Sequence, residues 1–448
     1  MENKKYTVGL VSLGCDKNRV DSEIMLDIMK NKYKIVPDPM DAEIIIVNTC
    51  GFIEDAKQES IDTILEMAKF KEEGKCKLLM ATGCLTQRYG KELMDEMPEL
   101  DVLLGVNSYG RLKEHVDNFI EKNEKIIDIA YSDLNINEGE RVLSDTIGTS
   151  AYIRISEGCS KNCTYCIIPK IRGSYRSRKK EHIVEEARKL AKSGIRELII
   201  IAQDTTMYGS DIYGKQTLHG LLTELEAIEG IDWIRLMYMY PEGIYNELLT
   251  TISNSKKILH YFDMPIQHVA DTLLRRMGRR TSKKDILDKI HTIKELMPDS
   301  ILRTSLIVGF PGETEEEFSE LMDFINNINF DKVGVFTYSR EEDTPAYNMK
   351  GQIDEEVKLD RRERLMLAQQ AVSFNNNLNK IGRTYKVLVE GRNEQTFVGR
   401  SFEMAPEIDG SIFIETEKEL IAGDMVNVKI IDAMEYDLIG EVIDESGK

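Results

Sequence analysis

Cys159, Cys163 and Cys166 form the pattern Cys-x-x-x-Cys-x-x-Cys inside Ile155-Ser-Glu-Gly-Cys-Ser-Lys-Asn-Cys-Thr-Tyr-Cys-Ile-Ile-Pro169. Three thiolates this close, with no fourth cysteine or histidine nearby, can hold a four-iron cluster by three of its irons. The fourth iron is then left open. A structural zinc site is closed by four ligands, and electron-transfer clusters usually take four cysteines. A cluster with one open iron is built to receive a ligand.

The elements that must position these thiols belong to a chain of 448 residues, long enough for two or three domains with their own cores. Its composition, 42% hydrophobic and 31% charged, is that of a soluble protein. The net charge of −19 argues against nucleic acid as the main ligand, because a protein that grips a phosphate backbone presents a basic face. The cysteines number seven, and six of them fall beside predicted strand ends or in the tight motif. That distribution reads as metal binding in a reducing cytoplasm, not as a disulfide framework. Lys4-Lys5 followed by Tyr6-Thr-Val-Gly-Leu-Val-Ser-Leu-Gly-Cys15 mimics a short signal peptide. The apolar stretch is brief, it lacks a small-x-small cleavage site, and Ser12 stands where a lipoprotein signal carries leucine. It reads as a first strand. No apolar run approaches a membrane span, so a cytoplasmic protein with no membrane partner is expected.

Over residues 1–120, short apolar runs alternate with helical patterns. Tyr6–Leu13, Ala42–Val47 and Lys77–Ala81 read as buried strands, with helices at Asp55–Phe70 and Gln87–Met97. This alternation predicts a parallel sheet with crossover helices, whose strands all end at one edge, where ligands bind. Cys15, Cys50 and Cys84 each follow one of these strands, and each adjoins a glycine (Gly14, Gly51, Gly83) that lets backbones approach closely. Any one of them could be a buried structural thiol; three at equivalent strand ends imply a second three-cysteine cluster. Cys76 opens a strand instead of closing one and reads as a core thiol.

Residues 121–150 are polar and weakly periodic (Lys122-Asn-Glu-Lys125, Asn135-Ile-Asn-Glu-Gly139) and read as a linker. From 151 a second alternation begins. Strands are predicted at Ala151–Ile155, Glu197–Ile201, Trp233–Met239, Tyr261–Pro265, Ile301–Val308 and Lys332–Thr337. Helices are predicted at Glu181–Ser193, Thr217–Ile228, Gly243–Ser253, Lys283–Met297 and Thr314–Asn326. Six β/α units make a partial or open barrel, with its chemistry on the loops that follow the strands. The Cys159 motif follows the first of them. Asp354–Leu378 reads as one long amphipathic helix that closes the core at 378. Beyond it, period-two runs at Tyr385–Glu390, Phe397–Ser401, Ile412–Glu415 and Met425–Ile431 predict a small all-β barrel of OB-like size over 379–448.

Other motifs are weaker. Tyr165, just before Cys166, is placed to pack on a ligand of the open iron, or simply to pack. Ile307-Val-Gly-Phe-Pro-Gly-Glu-Thr314 ends a strand and starts a helix, with Thr314 or Glu313 as the cap and Gly309 and Gly312 allowing a tight turn or close approach of the main chain to a ligand. Gly209-Ser-Asp-Ile-Tyr-Gly-Lys-Gln216 nearly matches a nucleotide-binding loop but carries Gln216 where the magnesium-holding Ser/Thr belongs. Gln203-Asp-Thr-Thr206, at a strand end, is expected to line the cofactor or substrate cavity. The basic clusters Arg172…Arg176-Ser-Arg178-Lys-Lys180 and Arg275-Arg276…Arg279-Arg280 are solvated faces or holders of a carboxylate. Six scattered histidines include no helix-spaced pair, and only His268 closes a strand where it could face the cavity. In Asn18-Arg-Val-Asp-Ser-Glu23, Asn18 and Ser22 read as helix caps.

The Cys159 motif resembles that of radical S-adenosylmethionine (SAM) enzymes. In those enzymes the open iron is chelated by SAM, and reductive cleavage gives a 5′-deoxyadenosyl radical. The whole chain resembles the methylthiotransferase family, in which a flavodoxin-like N-terminal domain carries an auxiliary cluster, a radical-SAM barrel follows and a TRAM domain ends the chain. The resemblance implies two 4Fe-4S clusters, one on Cys159, Cys163 and Cys166 and one on Cys15, Cys50 and Cys84. One SAM serves as methyl donor and a second yields the radical, and a methylthio group is delivered from the auxiliary cluster. It implies no catalytic residue beyond the cluster cysteines, with Tyr165, Gln203, Gly309 and Gly312 as SAM contacts. An electron donor of flavodoxin or ferredoxin type is implied; the sulfur donor is open.

The family divides by substrate. Leu13-Gly-Cys-Asp-Lys-Asn-Arg-Val-Asp-Ser-Glu23, Cys163–Arg178, Gln203–Gly209 and Tyr238-Met-Tyr-Pro241 look like the RimO-type branch. That branch modifies an aspartate β-carbon in the small-subunit ribosomal protein of the decoding centre, either free or within the assembled subunit. The MiaB-type branch, which modifies tRNA adenosine, tends to carry Met before that Asn. From Asn376 onward eight basic residues face fifteen acidic ones, 8 − 15 = −7. An acidic terminal barrel suits a basic ribosomal protein better than tRNA. A non-enzymatic iron–sulfur sensor accounts for the cysteines, but not for their open-iron spacing or the turn at Gly309–Gly312.

Overall fold

The computed structural model describes residues 6–130, 138–143, 148–393 and 396–443. The Lys4-Lys5 pair and part of the expected linker (131–137 and 144–147) lie outside the described residues.

The N-terminal sheet is entirely parallel, in the order β2-β1-β3-β4-β5-β6. Its strands are β1 (Thr7–Ser12), β2 (Lys34–Ile35), β3 (Ile44–Thr49), β4 (Leu78–Gly83), β5 (Val102–Leu104) and β6 (Ile126–Asp128). The central strands β3 and β4 are buried at every position, as strands covered on both faces must be. Ile44, Ile46, Leu78 and Met80 pack under the helices α1 (Asp16–Lys30) and α4 (Leu112–Lys122). Ile45, Val47, Leu79 and Ala81 pack under α2 (Glu54–Ala68) and α3 (Cys84–Glu96). This is the expected flavodoxin-like arrangement. Sequence reading missed β2, β5 and β6, which are too short to show a period, and β6 falls inside the stretch expected to be linker.

The central part holds β7 (Ser150–Arg154), then a two-stranded ribbon of β8 (Ser156–Glu157) and β9 (Arg176–Ser177), then β10 (Glu197–Ile201), β11 (Trp233–Leu236), β12 (Tyr261–Asp263), β13 (Ile301–Val308) and β14 (Lys332–Thr337). The parallel sets β7-β10-β11 and β12-β13-β14 meet through an Ile234–Ile258 bridge, so six strands run in chain order around a partial barrel. Alternation on β10 shows how the faces are used. Leu198 and Ile200 point to the surrounding helices. Ile199 and Ile201 point the other way, into a cluster with Val20 and Ile24 of α1, Trp233, Tyr261, and Leu388 and Ala405 of the C-terminal barrel. The open barrel is thus filled from both neighbouring parts of the chain, each large side chain contributing about 1.5–3 kcal/mol.

The C-terminal unit is a closed five-stranded barrel of β15 (Thr384–Asn393), β16 (Thr396–Arg400), β17 (Ile412–Glu415), β18 (Met425–Ala433) and β19 (Leu438–Val442). Its link to the core is electrostatic as well as apolar. Glu197 is fully buried, accepting from Arg235 Nε at 2.8 Å, Arg400 Nη2 at 2.7 Å and Ser150 Oγ at 2.8 Å. Burial alone would raise its pKa, but the guanidiniums of Arg400 and Arg235 hold it at about 2. Glu197→Gln leaves two buried guanidiniums short of a counter-charge, and is expected to lower stability by about 3–5 kcal/mol in a urea titration at neutral pH. Because the folded value lies below the unfolded one, the carboxylate's contribution is present above pH about 4.3 and is lost as pH falls toward about 2. The gap between parent and variant should therefore narrow in acid.

The long helix Glu355–Leu378 departs from expectation. Its buried stripe is mainly polar (Lys358, Arg361, Leu365, Gln369, Ser373, Asn377), while Leu359, Leu367 and Phe374 are exposed. The reason is that it works as a strap. Lys358 donates to the Tyr338 carbonyl at 3.0 Å, Gln369 to that of Phe330 at 2.9 Å and Asn377 to that of Met434 at 3.0 Å.

Candidate functional site

The Cys159 loop leaves the ribbon strand β8 through Gly158, whose φ of +74° and closeness to the Ser174 carbonyl (2.2 Å from any added Cβ) admit only glycine. Cys159 N–H donates to the Gly173 carbonyl at 3.0 Å, and Thr164 N–H to that of Met277 at 2.9 Å, pinning the loop at both ends. Cys159 and Cys163 line a cavity of about 380 Å³ together with Lys161, Tyr175, Asp204, Glu242 and Arg279. Lys161 pairs with Asp204 (3.2 Å) and Glu242 (2.9 Å) and stands 3.8 Å from the Tyr240 ring centre. Arg279 stands 4.3 Å from the centre of the same ring and donates through Nη2 to the Pro265 carbonyl. Its buried Nε and Nη1 have no acceptor. Burial pushes the Cys166 thiol up to about 12, and Cys163 and Cys159 beside it push the same way. Burial raises Cys159 as well. Three neighbouring thiols shed their protons together only to a cation, so the donor set fits a thiophilic cluster, and Arg279, which lines the cavity, keeps two donors for an anionic ligand. Among the described residues no group of three His, Cys, Asp or Glu forms a single-ion metal site. A cluster that takes one cysteine per iron does not need them to converge on a single ion.

The other expected contacts are partly brought to this place. Gln203 donates to Glu157 Oε1 at 3.1 Å, and its buried Oε1 has no partner. Its neighbour Asp204 lines the cavity. Tyr165 packs with Phe310 and Tyr338 in one apolar cluster, which joins the cysteine loop to the Gly309–Gly312 turn. Both glycines have positive φ (+73° and +77°), and their Cβ directions are filled by Lys358 and by Arg276. Thr314 caps the following helix, Glu315–Ile328, in a capping box with Glu317. Glu313 is not a cap: its carboxylate accepts from Gly309 N–H, from Arg361 at 2.9 Å and from His268 at 3.2 Å. His268 is fully buried behind that turn, so it does not face the cavity. Gln216 donates to the Thr206 and Gly243 carbonyls (2.9 Å each), so the near-match to a nucleotide-binding loop is a structural turn.

Cys15, Cys50 and Cys84 come together at one edge of the N-terminal sheet. A Cβ on Gly14 would lie 2.7 Å from Cys50 Cβ and 3.0 Å from Cys50 Sγ. One on Gly51 would lie 3.0 Å from the Cys84 carbonyl carbon. Gly83, at φ +102°, would clash with the Thr49 carbonyl. The three glycines are the close approaches on which the trio depends. Cys15 caps α1 and is exposed; Cys84 is the first residue of α3 and is buried. Helix amino ends favour negative charge, and so favour thiolate sulfur. Burial pushes Cys84 up to about 12, against the pull of the Arg172 guanidinium, and raises Cys50. Here too, buried thiols beside one another fit a metal cluster. Cys76 is a core thiol, its Sγ donating to the Leu78 carbonyl and its pKa raised by burial to about 11.

The two cysteine sets adjoin. Cys84 packs with Val106, Ile167 and Ile171, the last two just past Cys166. Beside them lies a buried, charge-balanced quartet from both parts of the chain. Arg154 contacts Asp21 (2.5 Å) and Glu157 (2.9 Å), and Arg172 contacts Glu157 (3.0 Å) and Asp21 (3.1 Å). Sequence reading missed this quartet: Arg172 looked like part of a basic face, and no local pattern marks Arg154, Asp21 or Glu157. Asn18 and Ser22 are not caps but interior residues of α1. Asn48 Nδ2 donates to Ser22 Oγ at 2.9 Å, and Asn18 binds the cysteine-bearing strand ends. Arg178 pairs inside the core with Glu138 and Glu186, and Arg276 pairs with Glu317, so neither is free to hold a substrate.

Comparison with known proteins agrees with this architecture. Residues 7–105 match the Uncharacterized protein family UPF0004, 153–325 the Radical SAM superfamily and 381–443 the TRAM domain. The cobalamin-binding radical SAM methyltransferase TsrM from Kitasatospora setae superposes with a TM-score of 0.57 at 14% identity, over 76% of this chain and 77% of that one. OxsB, a cobalamin-dependent radical enzyme, superposes at 0.54 and 11% identity, over 81% and 56%. These two share the fold. The chain is 58% identical to the "Ribosomal protein uS12 methylthiotransferase RimO" of Clostridium botulinum over 445 residues, covering 99% of this chain and 100% of that protein. It is equally similar, over 448 residues, to the protein of that name from Clostridium perfringens, again covering 99% and 100%. With full-length identity at this level and all three matches in order, the chain belongs to the RimO family of radical SAM methylthiotransferases.

Proposed function

We propose that this enzyme attaches a methylthio group to the β-carbon of an aspartate in ribosomal protein uS12, with one 4Fe-4S cluster on Cys159, Cys163 and Cys166 and a second on Cys15, Cys50 and Cys84. The clusters and SAM supply the radical, the methyl group and the sulfur; the chain binds, orients and shields. The observation that carries the two-cluster reading is the packing of Cys84 against Ile167 and Ile171, just past Cys166, which sets the two cysteine trios side by side. On this reading Arg279, with two unpaired donors, and Lys161 hold the carboxylate of SAM at the cavity wall, and Asp204 and Glu242 take its ammonium. Gln203 braces Glu157 beneath the cysteine loop. Tyr165 and the turn through Gly309 and Gly312 close the adenine side. The division of labour follows: residues 1–120 deliver the group, 151–378 generate the radical, and the acidic barrel from 379 meets a basic ribosomal protein, free or in the small subunit. A flavodoxin- or ferredoxin-type donor in the cytoplasm supplies electrons.

The test is the intact mass of small-subunit ribosomal proteins from cells with and without the gene, with tRNA nucleosides measured alongside. Loss of one methylthio group from uS12 with unchanged tRNA is expected. Loss of methylthio-adenosine from tRNA instead would overturn the assignment.

A further inference from the structure

The side chain of Asn18 hydrogen-bonds at all three cysteine-bearing strand ends. Its Nδ2 donates to the Leu13 carbonyl (2.9 Å), two residues before Cys15, and to the Thr49 carbonyl (3.0 Å), next to Cys50. Its Oδ1 takes the Cys84 Sγ–H at 3.9 Å and Arg172 Nη2–H at 2.6 Å. Asn48 Nδ2 fixes it from behind, through the Asn18 carbonyl at 2.8 Å. Asn18 and Arg172 are both essentially inaccessible, at 0% and 2% exposure, so neither contact is a surface accident. Arg172 comes from the other part of the chain, six residues beyond Cys166, at the end of the short helix Ile168–Arg172. Its Nη1 is held by Glu157, which precedes Cys159 by two residues and also takes Gln203. Tyr109, buried next to this group, has a hydroxyl with no partner.

We propose that Asn18 and Arg172 are positioning residues of the Cys15/Cys50/Cys84 site. The amide of Asn18 holds the three strand ends at one spacing, and Arg172 carries a permanent positive charge from the barrel to that site. The inference rests on the reading that these cysteines hold a cluster. A guanidinium stays ionised even when buried, so its charge is fixed across physiological pH. Cluster potentials respond to nearby charge and to hydrogen bonding at the ligand sulfurs. A cation stabilises the more negative, reduced cluster, so Arg172 raises the potential of the auxiliary cluster. It also makes that site dependent on the correct seating of the Cys159 loop, since Glu157 orients the same guanidinium.

The experiment is an anaerobic redox titration of the reconstituted full chain followed by electron paramagnetic resonance, with iron counted per chain. The Cys159/Cys163/Cys166 cluster serves as internal reference. Arg172→Gln is paired with Asp21→Asn so that the buried group stays neutral, and Asp21→Asn alone is the control. Relative to the Asp21→Asn control, the auxiliary potential of the double variant is expected to fall by at least a tenfold change in the reduction equilibrium, about 59 mV for a one-electron couple. Arg172→Lys, which keeps the charge, should recover most of that shift. Asn18→Ala is expected to lose at least half of the auxiliary iron while the reference cluster keeps its own. This variant decides the matter if the double variant does not fold. An auxiliary potential equal to that of the Asp21→Asn control, or full auxiliary iron in Asn18→Ala, overturns the inference. A parent protein that holds one cluster only overturns instead the two-cluster reading on which it stands.

Discussion

Cys163→Ala is expected to reduce formation of 5′-deoxyadenosine from SAM at least about a hundredfold in the reconstituted, dithionite-reduced protein, and to abolish methylthio transfer with it. Losing a partner one shell out from a metal costs about 10–100-fold, and a lost ligand costs more. Cys163 lies on the cavity wall with Cys159, under the guanidinium of Arg279. With three cysteines there is no spare ligand: Cys76 is buried in the N-terminal core, bonded to the Leu78 carbonyl, and Cys84 belongs to the other trio. The variant should keep its fold, because the loop is held by main-chain bonds from Cys159 and Thr164 and not by the sulfur. Chromatography of the nucleoside products checks this, together with an iron count lower by one cluster. SAM cleavage at the parental rate would remove the Cys159 motif from the chemistry.

Cys50→Ala should separate the two halves of the reaction. SAM cleavage is expected to persist within about threefold of the parent, while methylthio transfer to uS12 falls at least about a hundredfold, again by loss of a ligand. The reason is spatial. Cys50 touches Gly14 and the Ser60 side chain, which accepts from its N–H at 3.0 Å and donates to its carbonyl at 2.9 Å, all within the N-terminal part of the chain. None of these atoms belongs to the cavity lined by Cys159 and Cys163. Mass spectrometry of uS12 and product chromatography on the same sample give both readouts. Modified substrate from Cys50→Ala would show that the auxiliary site is misassigned.

How much of this was legible in the chain depends on the range of each signal. The β13 and β14 boundaries and the two cysteine sets were readable because strand alternation, strand-end glycines and Cys-x-x-x-Cys-x-x-Cys spacing are local, and local geometry dictates them. The short strands β2, β5 and β6 were not, since two or three residues carry no period and form only because a neighbouring strand offers hydrogen bonds. The Glu355–Leu378 helix was readable as a helix, but its face was not. Its polar residues are buried because loop carbonyls distant in sequence need donors, and this reverses the usual pattern.

By itself the sequence determined the order of the three parts, the six cysteines that could bind metal and the acidic character of the last barrel. These follow from residue type and spacing along the chain. Only the tertiary structure decided that Asn18 is a clasp and not a cap, that His268 and Glu313 hold a turn and do not face the cavity, and that Arg172 reaches from one cysteine loop to the other. Those roles arise between residues far apart in sequence, such as Asn18 and Arg172, 154 positions apart. A buried charge or amide must find its partner wherever the fold brings one, and no local pattern records that choice.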